Sequence, residues 1–138
     1  MTSLFKTTLI GAAAMAMTVS GSFASDLIIT FDDLNPGPKG AFEAAVEKFK
    51  GENPDINVTV NINDREAHKT AIRNFLTADA PDVTTWYAGN RMRPFVDAGL
   101  FADVSDVWEA NGFSETLAST KPSMTVDGKQ YGVPYTYY

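Results

Sequence analysis

Two segments near the beginning of the chain show the apolar patterns of β-strands. Residues 27–31 form a nearly continuous apolar run, which is typical of a strand covered on both faces. In residues 56–62 apolar and polar side chains alternate, which indicates a strand covered on one face only. We therefore predict that the first strand is central in a sheet and that the second lies at its edge.

Helical patterns separate these strands and follow the second one. Apolar residues from Phe42 to Phe49 recur at helical spacing, after two prolines and before a glycine. Asn63 is expected to cap a second helix, with Glu66 completing a capping box, and residues 83–87 have the character of a third strand. This alternation predicts an α/β fold with a parallel sheet in the order 2-1-3 and flanking helices.

The rest of the chain predicts shorter elements. Pro94 suits the first turn of a helix, so residues 88–91 should form a loop. Two short helices are expected over residues 105–110 and 114–120, each with a serine as its cap. The Asp-Gly pair at 127–128, between apolar residues, predicts a β-hairpin.

Residues 1–24 have the three-part pattern of a secretory signal peptide. Lys6 provides the positive charge, residues 9–19 are uncharged and apolar, and small residues precede the expected cleavage after Ala24. The apolar run is shorter than a membrane-spanning helix requires. We therefore predict a mature domain of residues 25–138 in the bacterial periplasm, without a lipid anchor because the chain has no cysteine.

The composition and charge exclude several classes of function. The chain has 11 Lys and Arg against 17 Asp and Glu, a net charge of −6, so it would repel a nucleic acid. It contains no cysteine and one histidine, which excludes disulfides, thiolate nucleophiles and multi-histidine metal sites. It also lacks a nucleophile elbow and a phosphate-binding loop. We expect no catalytic residue, no metal and no cofactor.

Polar and aromatic residues follow each predicted strand, at the edge where ligands of open parallel sheets bind. An aromatic pair beside Asn, Asp and Arg suits a neutral polyhydroxyl ligand, because sugar rings stack on aromatic faces and their hydroxyls bond to planar polar groups. The candidate ligand-binding residues from these positions are Asp33, Asn35, Asp64, Trp86, Tyr87, Asn90 and Arg91.

Some residues at this edge have competing interpretations. Trp86 could belong to the core instead of contacting a ligand. Asp32 and Asp33 should point to opposite faces of an extended segment, so that one reaches the cleft while the other caps a helix or is solvated. His68 is expected on a solvated face of the second helix.

Five segments together carry a resemblance to a known family: residues 27–31, 41–49, 80–83, 86–104 and 127–135. Their order and spacing resemble the start of an extracellular solute-binding protein of a bacterial carbohydrate ABC transporter, in the group that is like maltose-binding protein. The resemblance implies a type II periplasmic-binding-protein fold with two α/β lobes and a hinge. It also implies that a sugar binds in the cleft between the lobes and is delivered to the membrane permease.

In such a family, residues 25–138 would form an incomplete N-terminal lobe that ends at the hinge and binds sugar poorly by itself. Asn90-Arg91 match a ligand-binding Asp-Arg pair of the family, with Asn in place of Asp, and the hinge segment corresponds to Tyr135 and Tyr137. The resemblance therefore implies a monomeric binding protein for a mono- or oligosaccharide, without catalysis.

Other ligands remain open on the same fold. Tyr137-Tyr138 would suit a ferric ion, because tyrosinate oxygens bind hard, highly charged cations, but no carboxylate or histidine is adjacent in sequence. A polyamine is a second alternative. A fragment of a secreted carbohydrate-active enzyme is the third.

Overall fold

Three parallel strands form the main sheet of the computed structural model, which describes residues 25–136. The strands are β1 (Ser25–Phe31), β2 (Ile56–Ile62) and β3 (Val83–Thr84). Their order is β2-β1-β3, and β1 runs parallel to both neighbours. This arrangement confirms the predicted parallel sheet and the central place of the first strand. The expected signal peptide and the two C-terminal tyrosines lie outside the described residues.

Helices connect and follow these strands, and a hairpin comes near the end of the chain. The helices are α1 (Pro36–Glu52), α2 (Arg65–Ala78), α3 (Arg93–Asp97), α4 (Ser105–Ala110) and α5 (Phe113–Thr116). The hairpin strands are β4 (Thr125–Val126) and β5 (Lys129–Gln130). Within residues 25–136, no helix has the length and apolar character needed to cross a membrane.

The start of α2 lies one residue later than the sequence predicted. The backbone N–H of Asn63 donates to the carbonyl of Phe31 at 2.8 Å, so Asn63 still extends the pairing between β1 and β2. Asp64 is therefore the N-cap, and its side chain accepts from the backbone N–H groups of Glu66 and Ala67 at 3.0 and 3.2 Å. The predicted Asn63 cap is wrong because that residue is held by the sheet.

The third strand is shorter than the predicted span of residues 83–87. Only Val83 and Thr84 pair with β1, opposite Ile29 and Thr30. Trp86 then leaves the sheet, because its ring packs onto the core cluster and its indole N–H donates to the carbonyl of Arg91 at 2.8 Å. In the described part of the chain, β3 has a strand partner on one side only.

The buried core cluster lies between α2 and α3. Ile72 and Leu76 of α2 pack with Phe95 of α3, and Trp86, Leu100 and Phe101 cover them. Burying an aliphatic or aromatic side chain of this size contributes about 1.5–3 kcal/mol to the free energy of folding. This packing holds α2 against α3 and against the segment that follows β3.

His68 is buried, which corrects the expectation that it lies on a solvated face. It is 0% exposed and falls on the same side of α2 as Ile72 and Leu76, at helical intervals of four residues. Its ring packs at 6.0 Å from that of Trp86, and its Nε2 lies 3.0 Å from the carbonyl oxygen of Thr85. The apolar stripe of α2 is therefore one turn longer than the hydrophobic residues alone indicate.

The Asp-Gly hairpin is confirmed, whereas the serine caps are wrong. Asp127 and Gly128 have φ values of 48° and 83°, the left-handed backbone that a tight two-residue hairpin requires. Ser105 does not cap α4 but accepts a hydrogen bond from the backbone N–H of Gln130 at 3.1 Å. The fifth helix ends at Thr116 and begins after Gly112, whose φ of 64° no serine would favour.

Candidate functional site

The carboxyl ends of β1 and β2 enclose a small polar pocket of about 280 Å³. The loop after β1 provides one wall and the first residues of α2 provide the other. The residues that line it are Asp32, Asp33, Leu34, Asn35, Asp64 and Arg65. The structure thus brings three of the candidate residues, Asp33, Asn35 and Asp64, into one place, as the rule for parallel sheets leads one to expect.

Two buried carboxylates and one guanidinium form the floor of this polar pocket. Asp33 is 1% exposed and Asp32 is 5% exposed. Arg65 Nη2 lies 2.9 Å from Asp33 Oδ2, and Arg65 Nε lies 3.8 Å from Asp32 Oδ2. Burial removes water from both carboxylates, which is unfavourable for an ionised group. The opposite charge of the Arg65 guanidinium offsets this desolvation free energy.

The expectation that the two aspartates point to opposite faces, with one solvated or capping a helix, is therefore wrong. The chain leaves the strand after Phe31, and Asp33 Oδ1 accepts from the backbone N–H and the side-chain amide of Asn35, at 3.0 and 2.6 Å. This local turn rotates the second carboxylate back toward Arg65. Both aspartates share one partner because the segment is a turn and not an extended strand.

Thr85 connects the polar pocket to β3 and to α2. Its hydroxyl donates to Asp32 Oδ1 at 2.6 Å, and it accepts from the Asp32 backbone N–H at 3.2 Å. Its carbonyl oxygen can only accept a hydrogen bond, so His68 Nε2 carries a proton and donates to it. The Nδ1 of the same ring is buried and has no hydrogen-bond partner among residues 25–136. One continuous set of contacts thus joins the core of α2 to the carboxylates.

A second group of candidate residues lies after β3 and is built around Tyr87. Its ring lies 5.5 Å from Lys69 Nζ and 4.5 Å from the guanidinium carbon of Arg91, distances at which a cation is attracted to an aromatic face. Trp86 meets Tyr87 edge-on at 5.5 Å. Hydrogen bonds to Glu66 and then to Tyr87 raise the pKa of Lys69 above its usual range.

Three aromatic candidates border a larger groove of about 810 Å³. Trp86, Tyr87 and Tyr135 line this groove, and Tyr135 is 53% exposed with its ring 5.9 Å from that of Phe31. Asn90 and Arg91 lie in the 3₁₀ turn Gly89–Arg91, are exposed, and line neither cavity. Tyr137 lies outside the described residues.

Trp86 has contacts that a core residue would have. Its ring packs edge-on against Phe95 at 5.2 Å and its N–H is bonded to a backbone carbonyl. The fold therefore holds this ring in place by itself, while one side still borders the groove.

Sequence reasoning missed Arg65, which is the one cation among the described residues that line the polar pocket. The available signal was its position: it directly follows Asp64 at the carboxyl end of β2, opposite two acidic residues at the end of β1. An arginine in a first helical turn is usually solvated, so its role depends on how closely the two strand ends approach.

The chemistry of these groups is that of hydrogen bonding and stacking. Asp32 and Asp33 are both engaged with Arg65, and within residues 25–136 no three potential metal-ligating side chains come together. Carboxylates, an amide, a guanidinium and aromatic rings can bind hydroxyl groups and sugar faces.

Comparisons with known proteins identify a family. The family described as bacterial extracellular solute-binding protein matches residues 35–138. No curated protein matches the chain.

Solved structures share the fold. The bacterial solute receptor AcbH, described as having an exclusive substrate preference for β-D-galactopyranose, is 25% identical with a TM-score of 0.66, over 78% of this chain and 27% of its own. A protein from work on xylan utilization by the thermophilic bacterium Caldanaerobius polysaccharolyticus is 25% identical with a TM-score of 0.69, over 79% of this chain and 28% of its own.

A third solved structure supports the fold alone. It is a probable secreted solute-binding lipoprotein from Streptomyces coelicolor, 18% identical with a TM-score of 0.61, over 77% of this chain and 27% of its own.

The chain thus spans between a quarter and a third of the length of these proteins. The family match covers most of the chain, and the first two structures have the fold that the strand order indicates. The chain therefore belongs to the family of bacterial extracellular solute-binding proteins.

Proposed function

We propose that residues 25–138 are the N-terminal lobe of a two-lobe periplasmic protein that binds a mono- or oligosaccharide. The sugar would bind in the cleft at the carboxyl edge of the sheet and pass to the permease subunits of an ABC transporter. The family match supports the binding role, and the preference of AcbH for β-D-galactopyranose supports a sugar as the ligand.

The observation that carries this proposal is the placement of polar and aromatic side chains at one edge of the sheet. Asp33, Asn35 and Asp64 line one pocket, while Tyr87 and Trp86 border the groove beside it. Sugars need both kinds of contact, because their hydroxyls are donors and acceptors and their C–H faces stack on aromatic rings.

A binding function fits the electrostatics better than glycoside hydrolysis does. A hydrolase needs two carboxyl groups that flank a bond and act independently as acid and base or nucleophile. Asp32 and Asp33 instead share Arg65, within 4 Å, and both are buried. We infer that they orient hydrogen-bonding groups and do not transfer protons.

Export is part of the same proposal. The signal-like pattern of residues 1–24 would direct the chain through the inner membrane, and removal of that segment would release the domain in the periplasm. N-terminal sequencing of the exported chain, expressed in a bacterium, should begin at Ser25.

Sugar binding can be tested with amide-resolved NMR, which detects the millimolar affinities expected of one lobe. The ¹⁵N-labelled chain is titrated with galactose, xylose, xylobiose and maltose. We expect at least one of them to shift the amides of residues 32–35, 64–65 and 85–91, while the amides of residues 47–55 at the opposite end of the sheet remain unchanged.

A matched pair of variants locates the contact. Asn35→Ala removes an amide from the polar pocket and should weaken binding about 3- to 10-fold, the range of one hydrogen bond. Asn57→Ala removes an exposed amide from the far end of β2 and should leave the affinity unchanged. If no sugar shifts these amides while a polyamine or ferric ion does, the proposed function is wrong.

A further inference from the structure

The polar pocket has an unequal balance of charge. Its lining contains the three carboxylates of Asp32, Asp33 and Asp64 and one guanidinium, that of Arg65. The pocket therefore has a formal excess of two negative charges in a volume of about 280 Å³. A ligand group that enters it meets this excess at close range.

The guanidinium in this polar pocket is committed to the buried carboxylates. Arg65 lies 2.9 Å from Asp33 and 3.8 Å from Asp32, and the side chains of these aspartates are 1% and 7% exposed. An anion that reaches Arg65, whose side chain is 25% exposed, meets a guanidinium whose charge is already offset by the two buried carboxylates, so it gains little net attraction.

The helix terminus at this polar pocket is also committed. The first amides of a helix can bind an anion. In α2, however, the carboxylate of Asp64 already accepts from the N–H groups of Glu66 and Ala67. The pocket thus presents an acidic oxygen where an anion would need a donor.

Two other cations, Lys69 of α2 and Arg91 after β3, lie outside the polar pocket and have partners. Lys69 is paired with Glu66 at 2.7 Å, and Arg91 stacks over Tyr87. Neither lines the pocket, so neither reverses the charge of its interior.

We propose that the polar pocket makes the protein select neutral and amino sugars and reject acidic sugars such as uronates. This inference rests on the proposed sugar-binding function and adds the charge class of the ligand. Hydroxyl and ammonium groups donate hydrogen bonds to the exposed carboxylate of Asp64, whereas a uronate brings a like charge within a few ångströms of all three carboxylates. Because such repulsion is only partly screened at the edge of a protein, we expect a uronate to bind at least about tenfold more weakly.

The test uses three sugars that differ in one group: galactose, galactosamine and galacturonate. A glucose series is run in parallel. The ¹⁵N-labelled chain is titrated with each at about pH 6.5, where the amine is protonated and the uronate is ionised. We expect galactosamine to bind at least as tightly as galactose, with shifts centred on residues 32–35 and 64–65.

A charge-neutral variant that keeps its fold tests the cause. Asp64→Asn removes one negative charge but retains a good N-cap, since Asn caps helices about as well as Asp. The preference for the neutral sugar over its uronate should fall about threefold or more. Asp55→Asn makes the same charge change at the exposed turn before β2 and should leave the preference unchanged.

The two levels of the proposal fail differently. If no neutral or amino sugar of either series binds, the proposed function falls and the charge selection falls with it. If the neutral sugar binds but its uronate binds equally well, the selection alone is wrong. It is also wrong if Asp64→Asn and Asp55→Asn change the preference by the same amount.

Discussion

At the scale of single residues, one arginine decides whether two carboxylates can be buried. Asp33 has almost no contact with solvent, and its charge is tolerated because Arg65 lies within hydrogen-bonding distance. Removing one partner of a buried ion pair typically costs about 3–5 kcal/mol, since the other charge stays behind. Arg65 therefore contributes to the stability of the loop after β1 as well as to the character of the polar pocket.

His68 has a comparable structural role on the other side of β3. It fills space between α2 and Trp86, and its Nε2–H satisfies the carbonyl of Thr85. Thr85 in turn bonds to Asp32, so the position of the imidazole affects the polar pocket indirectly. The burial of this ring is a matter of packing, and the hydrogen bond fixes its orientation.

We expect His68→Ala to lower the free energy of unfolding by about 2–4 kcal/mol, because it leaves a cavity and removes the hydrogen bond from Nε2 to the carbonyl of Thr85. Asn74→Ala, on the exposed side of the same helix, should change it by less than about 0.5 kcal/mol. Urea unfolding followed by circular dichroism measures both. Equal, small effects would mean that the ring is solvated and that α2 packs differently.

At the scale of elements, a small polar cluster attaches the hairpin to α4. Asp103 Oδ1 accepts from the hydroxyl and backbone N–H of Ser105, at 2.6 and 3.0 Å. Asp103 Oδ2 lies 3.0 Å from Lys129 Nζ on β5. The backbone N–H of Val104 also donates to the carbonyl of Gln130 at 2.8 Å. The hairpin thus depends on side chains that precede it by some 25 residues.

This cluster predicts a dependence of stability on acid. The Ser105 hydroxyl and N–H, followed by Lys129, lower the pKa of Asp103 to about 2. Its pKa in the unfolded chain is about 4, so the ionised carboxylate stabilises the fold above about pH 4 and loses this effect as the pH falls toward 2. Asp103→Asn should therefore be less stable than the wild type at neutral pH, and the difference should shrink over that interval.

Chemical unfolding at a series of pH values provides the measurement. Glu109→Gln removes an exposed carboxylate from α4, the helix that follows Asp103, and is the matched control. A difference between wild type and Asp103→Asn that stays constant from pH 5 to about pH 2 would contradict the assigned role of Asp103.

The order of the strands was predictable because it follows from hydrophobic patterns within short segments of the sequence. The continuous apolar run of β1 indicates a strand covered on both faces, and the alternating run of β2 indicates a strand covered on one face. These patterns put β1 in the centre and β2 at the edge, as in the order β2-β1-β3. The cap of α2 was not predictable in the same way. Asn63 and Asp64 are both good caps, and only the hydrogen bond from Asn63 to Phe31, 32 residues earlier, decides between them.

The candidate site was predictable in its location but not in its internal contacts. The rule for parallel sheets placed Asp33, Asn35 and Asp64 at one edge, and they line one pocket. The pairing of Asp32 and Asp33 with Arg65 depends on a turn whose geometry no periodicity encodes. A pairwise contact between residues 32 positions apart leaves no local pattern in the sequence.

At the scale of the whole molecule, a groove of about 810 Å³ lies beside β3. Its walls include the exposed side of Val83, which is 50% accessible, and of Tyr135 and Val133 from the last described segment. β3 pairs with β1 alone in the described part of the chain, so apolar side chains and strand backbone both border this groove. Continuous apolar surface of this kind commonly binds apolar molecules.

We therefore expect the purified chain to bind Nile red, a neutral apolar dye, with a marked increase in fluorescence. Val83→Ser should reduce this increase at least about twofold, because it replaces an exposed apolar side chain in the wall of the groove by a polar one. Thr59→Ser, an exposed position on β2 at the opposite edge of the sheet, should leave it unchanged. Circular dichroism establishes that both variants keep the secondary structure of the wild type, so that a loss of dye binding reports the groove and not unfolding. Equal fluorescence in all three proteins would mean that the dye binds elsewhere and that the groove is closed in solution.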